Sequence, residues 1–365
     1  MSSGEICRIM EESIKKIYPD SQVISIPVAD GGEGSVDAFL HAIGGKKQSV
    51  VVKGPFFDDM ESYYGIIDNG ETAVIEMAAC AGLPLVGDKR DVRNTTTYGV
   101  GQLIAAALQN GCKKFIMGLG GSATNDAGAG AASALGVKFT DKKGEEFIPV
   151  GGTLSNICHI DMSGMHPGLK TVEFITMCDI DNPLYGPTGA AYIFGPQKGA
   201  TPEIVTELDD GLKNIAEVIK TDLHKDVSGL KGAGSAGGMG GGMAAFFNSK
   251  LQMGIETVLE TVHFDAIVRG ADLVLSGEGK IDSQSLRGKV VIGVARRAKS
   301  ANVPLVAIVG DIGDDIQVVY DEGVRAIFSI NRVAVDFTKA QPRAKEDLAL
   351  TMDNLMRFIY MLENK

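Results

Sequence analysis

Cysteine is scarce and unsuited to cross-linking: Cys7, Cys80, Cys112, Cys158 and Cys178 are odd in number, dispersed, and never in C-x-x-C spacing. That excludes a disulfide framework or a zinc knot and fits reduced thiols in a cytoplasm. The 5 histidines are equally scattered, so a histidine-based metal site has no support. No apolar run approaches the roughly 18 residues that a membrane span needs, and the opening residues do not read as a signal peptide. Positive charge is in deficit: 35 Lys+Arg against 46 Asp+Glu leave a net charge of −11. Such a balance argues against a nucleic-acid backbone or an anionic membrane as partner. The pattern G-x-x-x-x-G-K-[ST] is also missing, which excludes a P-loop enzyme.

What remains is a chain of 365 residues, long enough for two domains, with 44% hydrophobic and 22% charged residues as in ordinary globular proteins. Its 47 glycines are clustered in a way that turns alone do not explain. Ile6, Ile9, Met10, Ile14 and Ile17 share one helical face, and Pro19-Asp20 ends that helix. Gln22 to Ala29 reads as a strand feeding the loop Asp30-Gly31-Gly32-Glu33-Gly34, with a helix from Val36 to Ile43. Alternation over Ser49–Lys53, Ser62–Ile67 and Thr72–Met77 predicts antiparallel strands, and Val100–Gln109 a helix. From Ala271 on, strands at Leu273–Ser276, Pro304–Val309 and Arg325–Ser329 alternate with helices, and a helix over Arg343–Leu362 closes the chain. Apolar strands with helical connections predict a parallel sheet covered on both faces. The expected fold is therefore α/β with two domains: a parallel-sheet domain built from both chain ends (1–45 and 262–365) and an inserted mixed α/β domain (46–261).

Lys113 to Gly136 is the stretch around which the chain is organised. Phe115 to Met117 reads as a buried strand, followed by a glycine loop and a helix of small residues. Gly118, Gly120 and Gly121 permit positive φ and close approach of a ligand. Thr124 or Asn125 is placed as N-cap, and the helix start beyond it suits a phosphate or another anion. The plainer reading is a turn forced by tight strand–helix packing. Gly118 to Ala123 also matches the dinucleotide pattern G-x-G-x-x-A, with Asp141 after the next strand, so an NAD-dependent oxidoreductase is a competing reading. Against it stand Asp126 at the expected helix start, the antiparallel signals upstream, and acidic loops elsewhere that would have no task.

Those loops also fall at strand ends: Asp30 to Gly34, Asp179/Asp181/Asn182, and Ser276 to Asp282 continuing through Arg287-Gly288-Lys289. Open parallel sheets bind ligands at the carboxyl ends of their strands. Carboxylates beside glycine loops suit a nucleotide with Mg²⁺, the acids holding the metal and backbone N–H groups the phosphates. Lys198, Lys280, Arg287 and Lys289 are the candidate cations.

The segments VADGGEGSVDAF, IEMAACAGL, NTTTYGVGQLI, GLGGSATNDAGAGAASALGV, CDIDNPLYGPTGAAYIFGPQKGAT, GAGSAGGMGGG and DLVLSGEGKIDSQSLRGKVVIGVARRA together resemble type-1 bacterial glycerate kinases over nearly the whole chain. The resemblance implies ATP-dependent phosphorylation of D-glycerate, Mg²⁺ as cofactor, and a Rossmann- or flavodoxin-like terminal domain with the other domain inserted. On that basis the reaction is expected in a cleft between the domains. Gly120, Gly121, Ser122, Thr124, Asn125 and Lys198 would contact nucleotide phosphates, and Glu278 and Asp282 would hold Mg²⁺. Asp179 is expected as general base with Asp126 next, and Lys289 as a catalytic cation. Asp30, Gly31, Gly32, Arg93 and Arg287 would hold the substrate, whose carboxylate needs a cation. A non-catalytic nucleotide or sugar-acid binder is a third reading, and a monomer and a homodimer are both open. Family members begin with a strand and a P-D-S-F-K-type loop ahead of the first helix here. The expectation is a mis-set start or a truncation, and a chain that is less stable and poorly active as written.

Overall fold

The structure is a computed structural model that describes residues 1–28, 31–282 and 289–364. It divides into two compact units, Met1–Ala29 with Ile255–Lys365, and Asp30–Gly254.

The chain opens on α1 (Ser3–Ile17), where Ser2 and Glu5 form a reciprocal capping box. Residues 22–28 form no strand, contrary to expectation. Their apolar alternation is present, but a strand also needs a partner ladder.

The middle unit starts with α2 (Ser35–Ile43) and three strands, β1 (Lys46–Lys53), β2 (Asp59–Ile67) and β3 (Thr72–Glu76). Helix α3 (Tyr98–Gln109) leads to β4 (Lys114–Gly118) and the short α4 (Ala129–Ala134). Strands β5 (Lys138–Thr140), β6 (Glu146–Phe147) and β7 (His159–Asp161) make a separate antiparallel sheet. Then come β8 (Glu173–Met177), α5 (Pro202–Leu223), α6 (Ser235–Phe247) and β9 (Lys250–Gln252).

The main sheet has the order β1-β2-β3-β4-β8-β9. Its first three strands pair antiparallel, and β3, β4, β8 and β9 run parallel. The stretch before the glycine loop is thus a βαβ unit, β3–α3–β4, where only antiparallel pairing was expected. Register levels Glu76, Gly118, Met177 and Gln252 in one row at the strands' carboxyl ends. Phe115 stacks on Phe174 at 4.7 Å between centroids, with Phe247 beyond, and α5 buries Val205, Leu208, Leu212, Ile215 and Ile219 along one stripe.

In the other unit α7 (Gly254–Thr261) precedes β10 (Val274–Ile281), α8 (Val290–Ser300), β11 (Leu305–Ile312), α9 (Gln317–Asp321), β12 (Val324–Ser329) and α10 (Ala344–Glu363). The three strands are parallel in the order β10-β11-β12. One face is covered by α1 and α10, where Ile9, Met10, Leu348, Met352, Leu355 and Met356 meet Val306 and Ile308. The expected bounds shift at both ends of the middle unit. Helix α2 belongs to it rather than to the terminal unit, because Val36 and Leu40 pack on Gly65 of β2.

Candidate active site

Two backbone segments meet at the carboxyl ends of β3 and β4. The N–H of Gly120 donates to the carbonyl of Gly31 at 2.9 Å, and a Cβ on Gly120 would lie 2.5 Å from the Gly32 Cα. A Cβ on Gly118 would lie 2.5 Å from the Gly31 carbonyl oxygen. These glycines therefore serve close backbone approach, and only Gly121 of the three takes positive φ (74°). The loop over Gly31–Gly34, expected on the terminal domain, lies against the glycine loop in the middle unit.

Beyond Gly121 the expected helix start is displaced. Helix α4 begins at Ala129 after a left-handed Gly128, so Thr124 and Asn125 are not its cap and Asp126 is not in its first turn. The carboxylate of Asp126 takes over that task from below. It accepts the N–H groups of Thr97, Gly128 and Gly130 and the hydroxyl of Thr97. Asp126 is 0% exposed, and burial pushes its carboxyl up while those bonds pull it back.

Lys198 is 2% exposed, and its ammonium donates to Ser122 Oγ at 2.9 Å and to the Thr124 carbonyl at 2.6 Å. Burial draws its pKa down to about 7, with Asp126 opposing. Beside it, Thr124 Oγ1 and both polar atoms of the Asn125 side chain are buried and have no hydrogen-bond partner among the described residues. Buried polar groups are almost always paired. A cation, a hydroxyl and an unpaired amide together form a donor set fitted to an anion.

The glycine-rich stretch from Gly232 to Gly242 explains how this loop lies so deep. Helix α6 starts with a left-handed turn at Ala236, Gly237 and Gly238, and the Gly237 carbonyl accepts the Ala127 N–H at 3.1 Å. A Cβ on Gly237 would fall 1.9 Å from the Thr124 carbonyl oxygen, and one on Gly242 2.1 Å from that of Ala127.

The remaining expected residues divide. Asp179 is exposed just past β8, at the same sheet end, and its Oδ1 accepts the Gly254 N–H at 2.8 Å. Arg93 pairs with Asp91 at 3.1 Å, and its carbonyl holds the Gly152 N–H. It neighbours Thr95, whose hydroxyl donates to the Ala123 carbonyl at 2.9 Å. In the other unit, β10 runs on through Ile281, so the expected loop at Gly277 to Lys280 is strand, paired with β11 at Gly277, Glu278 and Lys280. Glu278 lies within β10, and Asp282 follows directly after its last residue. Lys289 is exposed at the N-cap position of α8. Asp30 and Arg287 lie outside the described residues. Among the described residues, no three His, Cys, Asp or Glu side chains gather as a metal centre, which is compatible with Mg²⁺ because that ion commonly takes one or two carboxylates.

The G-x-G-x-x-A match at Gly118–Ala123 does not sit in a dinucleotide-type layout. The strand after α4 is β5, which belongs to the separate sheet and does not pair with β4. Among the described residues, no helix is long and apolar enough to cross a membrane.

Parallel strand ends carrying glycine loops, a buried lysine and strand-end carboxylates define an α/β enzyme of the anion-handling kind. The model of the family described as "Glycerate kinase family" matches residues 1–360. The chain is 44% identical over 352 residues to the "Glycerate kinase" of Bacillus cereus, covering 96% of this chain and 92% of the relative. It is 46% identical over 331 residues to the "Glycerate 2-kinase" of Escherichia coli, covering 90% and 87%. A crystal structure from Salmonella typhimurium LT2, of a chain provisionally named glycerate kinase 2, superposes with a TM-score of 0.88 at 40% identity, covering 100% of this chain and 96% of that one. The chain belongs to the glycerate kinase family and is a phosphotransferase.

Proposed function

We propose that the protein transfers a phosphoryl group from ATP to a hydroxyl of D-glycerate with Mg²⁺ as cofactor. The observation that carries this reading is the buried donor set of Lys198, Ser122, Thr124 and Asn125 at the carboxyl ends of the parallel strands. Gly120, Gly121 and these side chains hold the phosphates. When bound, Mg²⁺ supplies charge neutralisation for the transferring group. Glu278 and Asp282 would hold it. Lys289 offers a further cation.

The general base is Asp179 rather than Asp126. A base must reach the substrate hydroxyl, and Asp179 is exposed whereas every bond of Asp126 is spent on Thr97 and the start of α4. Gly31, Gly32 and Arg93, with Asp30 and Arg287, hold the substrate. The terminal unit is read as Rossmann- or flavodoxin-like, supported by its parallel β10-β11-β12 sheet with helical crossovers.

Phosphorus NMR of the protein incubated with ATP, Mg²⁺ and D-glycerate tests the reading, with a 2- or 3-phosphoglycerate signal as the expected product. No phosphoglycerate, together with thermal protection by NAD and none by ATP, overturns it in favour of the oxidoreductase. Asp179→Asn is expected to lower kcat at least about a hundredfold while ATP still protects against unfolding. Near-normal kcat removes Asp179 from the role.

A further inference from the structure

Glu76 closes β3 and lies outside every loop that the sequence marks as chemical, yet it is 1% exposed and fully engaged. Its carboxylate accepts the N–H groups of Gly34, at 3.2 Å, and Val36. Helix α2 has no side-chain cap of its own: Gly34 at its N-cap is left-handed, and the Ser35 hydroxyl turns back to the Gly32 carbonyl. A carboxylate from a distant strand fills that place, favoured by the positive end of the helix. Asp37, Lys47 and the Tyr63 phenol lie around it, and burial raises its carboxyl against the pull of the two N–H bonds.

The bonded chain continues past the helix. The loop that Glu76 holds presents the Gly31 carbonyl to the Gly120 N–H, and Met77, next to Glu76, donates its own N–H to the Gly118 carbonyl at 3.0 Å. One strand end thus grips both the Gly31–Gly34 loop and the strand from which the phosphate loop springs. We propose that Glu76 is a positioning residue of the reaction, fixing the Gly31–Gly34 loop against Gly118–Gly121 and so setting where D-glycerate is held. This assignment rests on the kinase reading above.

Glu76→Gln keeps the shape of the side chain but turns an amide N–H toward a backbone donor. The expected result is a KM for D-glycerate raised about tenfold, the KM for ATP within about twofold of wild type, and faster hydrogen exchange at both 31–36 and 118–121. Glu76→Asp, which restores the charge on a shorter arm, should recover part of the KM. A cap that merely stabilises α2 predicts a lower Tm, unchanged KM, and faster exchange confined to 35–43, and that outcome overturns the proposal. If Glu76→Gln does not fold, Glu76→Asp is judged by the same KM and exchange readings. If the wild-type protein does not phosphorylate D-glycerate, the kinase reading falls and exchange alone decides. Acceleration in both loops then upholds Glu76 as their positioning group, and acceleration in α2 alone overturns it.

Discussion

Lys198 shows how much a single side chain can carry when it is buried. With its folded pKa near 7 and an unfolded value near 10.5, the folded protein binds fewer protons than the unfolded chain between those limits. Its contribution to stability is therefore present above about pH 10.5 and is lost as pH falls through about 7. Relative to Lys198→Met, which does not titrate, the wild-type protein should gain up to about 1.4 kcal/mol per pH unit between pH 7 and 10. Denaturant unfolding of both proteins across that range checks the slope, and parallel curves would contradict a depressed pKa. The lysine itself was legible as a candidate cation beside Gly195-Pro196-Gln197, but its contact with Ser122 spans a sequence separation of 76 and left no local mark. Glu76 escaped notice for the same reason: at the end of an apolar strand, only its distant partners give it meaning.

Elements were legible where periodicity governs them and obscure where distant partners do. Helices α1 and α10 follow their apolar stripes, and β1 to β3 follow their alternation. The start of α4 does not, because Asp126, Thr97 and the left-handed Gly128 set it through tertiary bonds. Strand β10 reads as a loop at Gly277 and Gly279, yet the ladder to β11 carries it to Ile281. Glycine placement is the clearest element-scale prediction. Gly237 has φ 69° and a Cβ there would meet the Thr124 carbonyl. Gly237→Ala should therefore cost at least about 3 kcal/mol, from overpacking and left-handed strain together. Equilibrium unfolding checks the loss, and a variant within about 0.5 kcal/mol of wild type would show that α6 does not brace the loop.

At the scale of the molecule, each unit has its own core: Phe115, Met117 and Leu212 belong to one, Met352 and Leu355 to the other. Met352 is 0% exposed, and Met352→Ala should destabilise the terminal unit by about 2–5 kcal/mol. Hydrogen exchange is the suitable measurement, because a two-state treatment of the whole chain does not suit two cores. Loss of protection is expected in α1, β11 and α10, with β4 unchanged; equal loss in β4 would mean that the chain unfolds as one unit. Side-chain contacts with β2 tie helix α2 to the middle unit, and such contacts between distant segments leave no local mark in the sequence.

The apposition of Gly31 and Gly32 with Gly118 and Gly120 has a consequence for how this protein can change. No side chain stands between the two segments, and their closest approach is made by main-chain atoms. Saturation libraries at these positions should return almost only glycine among folded variants. If the proposed assignment holds, altered substrate choice is expected at Arg93, which leaves the seam itself untouched.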